Sequence, residues 1–127
     1  HTENRSVLHT ALRQPVDSSL MLDGKNIIED VKECREKMAD FLQKIHTKQI
    51  LGFTNKPLRT LVSIGIGGSF LGPKVVTEAL KPYAQKGYEC HHIANIDGTD
   101  RAQILQKIDP ETTLLLLQSK SFSTLET

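Results

Sequence analysis

From residue 60 onward the sequence alternates short apolar runs with helix-length stretches, and this alternation narrows the fold more than anything else in the chain. Residues 61–66 are a compact apolar run ending in glycines, residues 89–95 a weaker one, and residues 112–118 a continuous one with four successive leucines. Between the first two, Pro73 stands at a first helical position of a helix running through Leu80 and closed by Pro82. Between the second and third, Thr99 or Asp100 caps a helix that reaches Ile108 and ends at Asp109-Pro110. Strand, helix, strand, helix, strand predicts an α/β fold: a parallel sheet with helices on both faces. The last run is apolar throughout, so a strand buried on both faces is expected. Three strands are few for such a sheet, and a fourth unit begins at the end, so the domain is expected to be incomplete.

Upstream the grammar is helical. Residues 2–13 carry a rough apolar stripe (Val7, Leu8, Ala11, Leu12) that predicts a short helix stopped by Pro15. Leu20-Met21-Leu22 is a brief extended piece before the turn signal Asp23-Gly24. In residues 27–46, Ile27, Val31, Cys34, Met38, Phe41 or Leu42, and Ile45 recur at helical spacing. Fewer than three heptads are present, so packing against a domain core is expected rather than a coiled coil. Gly52 and Thr54-Asn55-Lys56-Pro57 form a linker. The expected division is a helical segment over residues 1–57 and the first part of an α/β domain over residues 58–127.

Bulk chemistry excludes several classes. The 127 residues suit one domain of about 100–150 residues. Sixteen lysines and arginines against 15 acids leave a net charge of +1, with none of the basic excess that a nucleic-acid binder gathers. No apolar run approaches the ~20 residues of a membrane-spanning helix. The first residues show no targeting signal and no initiator methionine, which points to a start inside a longer protein. Cys34 and Cys90 are far apart and form no CxxC, so two small buried thiols in a reducing cytosol are expected rather than a disulfide or a metal site.

Ligands of a parallel sheet bind beyond the carboxyl ends of its strands. The first such loop reads Gly65-Ile66-Gly67-Gly68-Ser69-Phe70-Leu71-Gly72. A dinucleotide fingerprint needs glycine where Phe70 stands, and a Walker loop needs lysine where Pro73 stands, so both patterns fail. What survives is a glycine-rich entry to a helix, either a bare tight turn or a place for an anion or sugar hydroxyl. The loop Ser119-Lys120-Ser121-Phe122-Ser123-Thr124 packs four hydroxyls and a lysine into six residues, the donor set a phosphate dianion wants; the alternative is a serine-rich helix cap, which the density of hydroxyls disfavours. The middle loop, residues 95–100, reads as a turn plus cap. His91 and His92 are adjacent on a strand, point to opposite faces and cannot share one metal. Glu78 and Glu126 are the carboxylates expected nearest the site, neither with a partner that marks a general base.

Taken together, these segments resemble the glucose-6-phosphate isomerase family. Thr2-Glu3-Asn4-Arg5-Ser6-Val7-Leu8-His9 with Ala11-Leu12-Arg13 resembles its TE-x-R-(A/S)-VLH-x-ALR stretch, and residues 64–72 its IGIGGS-x-LG loop. Residues 76–80 and 95–99 resemble its VTEAL and NIDGT segments, and residues 119–127 its SK(T/S)F(T/S)T-x-ET motif. The likeness runs in order from residue 2 to residue 127. It implies a flavodoxin-like sugar isomerase domain that interconverts glucose 6-phosphate and fructose 6-phosphate through an enediol, with no metal or organic cofactor. It further implies a cytoplasmic homodimer whose partner is a small sugar phosphate, with neither nucleic acid nor membrane. By resemblance Ser119, the Lys120 backbone, Ser121 and Thr124 hold the phosphate, Thr127 adds a contact, Gly68 and Ser69 lie against the sugar, and Glu126 supports the ring-opening histidine. Phe70 stands where many members have aspartate, Ser121 and Ser123 replace threonines, and Leu125 replaces glutamine. The family's glutamate base, arginine, histidine and lysine belong to segments absent here, so the expected role is binding without a catalytic base. Two other readings are a non-catalytic, regulatory isomerase-like module and a nucleotide-binding half-domain; the broken fingerprints disfavour the second.

Overall fold

The chain divides into two units at Thr47, and the computed structural model describes residues 6–123. In the first unit, β1 (Met21–Leu22) and β2 (Lys25–Asn26) form an antiparallel hairpin. Asp23 and Gly24 turn it with φ of 50° and 79°, the double left-handed pair whose twist matches that of a hairpin. Asn26 then caps α1 (Ile27–His46): its Oδ1 accepts from the Ile28 N–H at 3.2 Å and from the Leu20 N–H at 3.1 Å. Glu29 and Asp30 in the first turn and Lys44 and His46 in the last complement the helix dipole. Pairs Glu33–Lys37 (2.5 Å) and Asp40–Lys44 (2.6 Å) lace the outside.

Three expectations for this unit fail. The helix over residues 2–13 shrinks to a 3₁₀ turn, His9–Arg13, within the described residues; Leu8 at its start offers no side-chain acceptor for the first N–H groups. The Arg35 guanidinium donates to the Leu12 carbonyl and ties that turn to α1. The apolar stripe is also not packed as expected: Ile28 is buried, but Met38, Phe41 and Leu42 are exposed. Cys34 is likewise exposed and Cys90 only partly buried, so neither is the buried thiol expected.

In the second unit, β3 (Thr60–Ile64), β4 (Glu89–Ile93) and β5 (Thr113–Leu117) form a parallel sheet in the order β4-β3-β5. Thr60 pairs with Glu89 on one side and Thr113 on the other, and Ile64 with Ile93 and Leu117. α2 (Gly68–Ala79) links β3 to β4, and α3 (Gly98–Leu105) precedes β5. The two helices cover opposite faces. His92 reaches Thr77 of α2, whereas its neighbour Ile93 packs with Ile104 of α3, and successive strand residues point opposite ways. Val62, Ile93 and Ile104, joined by Ile64 and Ile108, are therefore the core beneath α3.

The parallel α/β expectation holds, with local corrections. α2 begins at Gly68, so Pro73 is its sixth residue and not its first. Having no N–H, Pro73 cannot serve the Ser69 carbonyl, yet only that one ladder bond is lost. α3 is capped by Asp97, whose carboxylate accepts from the Thr99 N–H at 2.7 Å, and it ends at Leu105; neither Thr99 nor Asp100 is the cap. β5 is not buried on both faces. Leu115, Leu116 and Leu117 are exposed, because β5 is an edge of the described sheet and α2 and α3 lie over β3 and β4.

Candidate functional site

β4 lies to one side of β3 and β5 to the other, so chain direction across the sheet reverses between β3 and β5. Such a reversal sends the two flanking loops to opposite faces and opens a crevice at the carboxyl ends. Residues 65–69 and residues 118–123 leave adjacent strands at that point. The Gln118 N–H continues the ladder to the Ile64 carbonyl at 2.8 Å, and the Gln118 side-chain amide donates to Ser63 Oγ at 2.5 Å. That second bond satisfies a hydroxyl buried to 3% exposure and locks the two strand ends together.

Gly67 starts α2 at φ 56° and ψ −118°, a conformation side chains disfavour, with no side-chain cap. The turn spends part of its own donor set. The Ser69 N–H donates to the Ile66 carbonyl (3.1 Å), and the Phe70 N–H to the Gly67 carbonyl (3.0 Å). Gly65 needs its missing side chain for a different reason: a Cβ there would lie 2.6 Å from the Ser69 carbonyl oxygen. Gly68 is exposed and Ser69 half-buried.

The loop after β5 is preformed. Ser119 Oγ accepts from the Phe122 N–H at 3.1 Å, and Ser121 and Ser123 hydroxyls stand 2.6 Å apart. Phe122 holds this curl with φ of 52°. Ser121, Ser123 and Lys120 are exposed, so three of the predicted phosphate ligands (Ser119, Lys120, Ser121) share one short turn. Thr124, Glu126 and Thr127 lie outside the described residues.

Other candidates fall elsewhere. In the middle loop, the Asp97 N–H donates to Asn95 Oδ1 at 2.9 Å, and the Arg101 guanidinium donates to the Ile96 and Asp97 carbonyls, so that loop satisfies itself as turn and cap. Glu78 pairs with Lys74 at 3.8 Å and sits ten residues along α2 from Gly68, about 15 Å at the helical rise. Among the described residues no three His, Cys, Asp or Glu side chains gather as a metal site would require. No helix of the described residues is long and apolar enough to cross a membrane.

Two arrangements escaped the sequence. One is the Ser63–Gln118 bridge. The other is a cluster under α2: His92 Nε2 stands 2.9 Å from Thr77 Oγ1 and 3.6 Å from Cys90 Sγ, and its ring meets Phe70 edge to face, centroids 6.1 Å apart. Burial first, then Lys74, holds the His92 ring below the ordinary imidazole range, while burial pushes the Cys90 thiol up. Strand parity put His92 opposite His91, but nothing in the spacing pointed it at Thr77.

The family model for phosphoglucose isomerase matches residues 1–127. Curated relatives include the glucose-6-phosphate isomerases of Hahella chejuensis, 49% identical, and Shewanella loihica, 50% identical. Both matches cover 100% of this chain and 23% of the relative, so the chain spans under a quarter of their length. The crystal structure of a glucose-6-phosphate isomerase from Chlamydia trachomatis superimposes with a TM-score of 0.78 at 37% identity, covering 98% of this chain and 22% of that one.

Proposed function

Because this chain belongs to the phosphoglucose isomerase family, we propose that it supplies the sugar-phosphate-binding loops of an enzyme interconverting glucose 6-phosphate and fructose 6-phosphate. The observation that carries this reading is the placement of a glycine-rich helix start and a hydroxyl-rich turn on adjacent strand ends at the reversal of strand order. In this reading residues 58–127 are the first part of the sugar-phosphate domain and residues 1–57 its helical lead-in. Ser119, the Lys120 backbone, Ser121 and Thr124 grip the phosphate, Thr127 adds a contact, Gly68 and Ser69 border the sugar, and Glu126 supports the ring-opening step. The parent acts in glycolysis and gluconeogenesis as a cytoplasmic homodimer without a metal or organic cofactor.

The physical logic is one of positioning. Grip on the remote phosphate fixes the reacting carbons beside a base supplied by other segments, converting binding energy into orientation. Binding alone leaves the barrier in place, since moving a proton between neighbouring carbons needs a positioned base. The test uses the full-length protein that contains this chain, assayed for glucose 6-phosphate formation, beside Ser121→Ala. Turnover is expected in the parent and absent from the 127-residue chain, and Ser121→Ala should weaken fructose 6-phosphate binding by about 1–3 kcal/mol. Binding without turnover by the parent would favour the regulatory module instead. An unchanged dissociation constant would remove Ser121 from the site.

A further inference from the structure

His92 touches α2 at two points two turns apart. Thr77 Oγ1 lies 3.0 Å from the carbonyls of both Pro73 and Lys74, so its proton is spent there and it accepts from His92 Nε2–H at 2.9 Å. The other contact is the edge-to-face meeting with Phe70, which directly follows Ser69. Between the two contacts stands Pro73, which leaves the Ser69 carbonyl without its helical donor. The first turn of α2 thus lacks one of the bonds that would hold it to the rest of the helix, and the His92 ring braces it from the sheet. With Nε2 carrying the proton, Nδ1 is a lone pair, buried and without a hydrogen-bond partner.

Resting on the reading above, we propose that neutral His92 is a positioning residue that holds the start of α2 where Gly68 and Ser69 meet the sugar, so that acid loosens sugar-phosphate binding. Protonation puts a second N–H at Nδ1, where no acceptor waits. The surrounding charges do not welcome it. From α2, Lys74 opposes it and Glu78 favours it, and those two are paired with each other at 3.8 Å. From β4, Cys90 is a thiol pushed up by burial, and His91 opposes the charge, its own Nε2 lying 3.4 Å from Glu89. From β3 the register partner is Ser63, which carries no charge. A charged ring therefore leaves its seat, and both braces on α2 go with it.

The experiment follows ¹³C-labelled histidine and backbone amides by NMR in the full-length protein, first without ligand. The Gly68 and Ser69 amides are expected to titrate with the His92 midpoint; amides indifferent to that titration would overturn the proposal. Saturating fructose 6-phosphate should then lower the His92 midpoint, since a ligand that needs the neutral ring must expel its proton. Failure of fructose 6-phosphate to bind at all would sink the functional reading, while the ligand-free co-titration would still decide the brace. His92→Gln keeps an N–H for Thr77 but cannot titrate. With the ring contact to Phe70 lost, its affinity should be weaker than the wild type's in mild base, and the ratio of wild-type to variant dissociation constants should rise severalfold from that starting value as pH falls below 6.5. Ionisation of the substrate phosphate is common to both proteins and cancels, so a flat ratio would refute the pH dependence.

Discussion

Gly65→Ala probes how tightly the glycine loop is wedged. A Cβ there would stand 2.6 Å from the Ser69 carbonyl oxygen and 2.9 Å from both its carbonyl carbon and its Cβ. Neither side can retreat freely. The Gly65 N–H is bonded to the Ile93 carbonyl at 3.1 Å, and Ser69 is followed by Phe70, which rests on His92. Overpacking a methyl into such a place costs about 1–3 kcal/mol. Gly72 supplies the control: it lies inside α2 and a Cβ there meets nothing within 4 Å, so Gly72→Ala should stabilise by roughly 0.5–1 kcal/mol through helix propensity alone. Urea titration of the 127-residue chain, followed by circular dichroism, reads both. Isothermal titration of the full-length protein with fructose 6-phosphate should show Gly65→Ala weakened as well, because the displaced atoms belong to Ser69. Shifts of the same sign and size for the two glycines would refute the steric argument.

Two further outcomes follow from single contacts. Asp97→Ala should cost about 1 kcal/mol of stability in the same titration by removing the α3 cap, and Thr99→Ala should cost much less; equal effects would contradict the capping geometry. Because burial and Lys74 depress the His92 proton affinity in the folded state, the unfolded chain takes up that proton first as pH falls below 6.5. Urea midpoints should therefore decline from that point until the folded ring itself titrates, with His92→Gln lacking that component of the slope; identical profiles would count against it.

The parallel sheet was legible because each apolar run carries its own stop. Residues 61–66 end in glycines, residues 112–118 follow Asp109-Pro110, and both boundaries moved by only a residue or two. Pro73 misled because its usual place is the first helical position, whereas the helix starts where Gly67 can take a positive φ. The α3 cap was expected at Thr99 or Asp100, but Asp97 holds it: composition alone does not show that Asp97, with its non-helical ψ of 122°, is where the chain enters the helix. Exposure of Leu115–Leu117 was illegible because burial depends on what lies over a strand, not on the strand. The hydroxyls of Ser119 and Ser121 were visible as a donor-rich loop, but their commitment to Phe122 and Ser123 is a matter of local curl. Contacts between α2 and β4, such as Thr77 with His92, couple positions 15 residues apart through a crossover, where periodicity is silent.

The order of strands in space differs from their order in the chain, and that has a consequence for assembly. Thr60 meets Glu89 across 29 residues of chain and Thr113 across 53. Closing the longer loop costs about 0.5 kcal/mol more in chain entropy, and β5 finds its place only against a β3 that is already ordered. The lower closure cost favours pairing of β3 with β4 before β5 docks onto the open flank. Since the crevice lies between β3 and β5, the hydroxyl-rich loop after β5 is set only when β5 docks, and the Ser63–Gln118 bond acts as the latch that records its arrival.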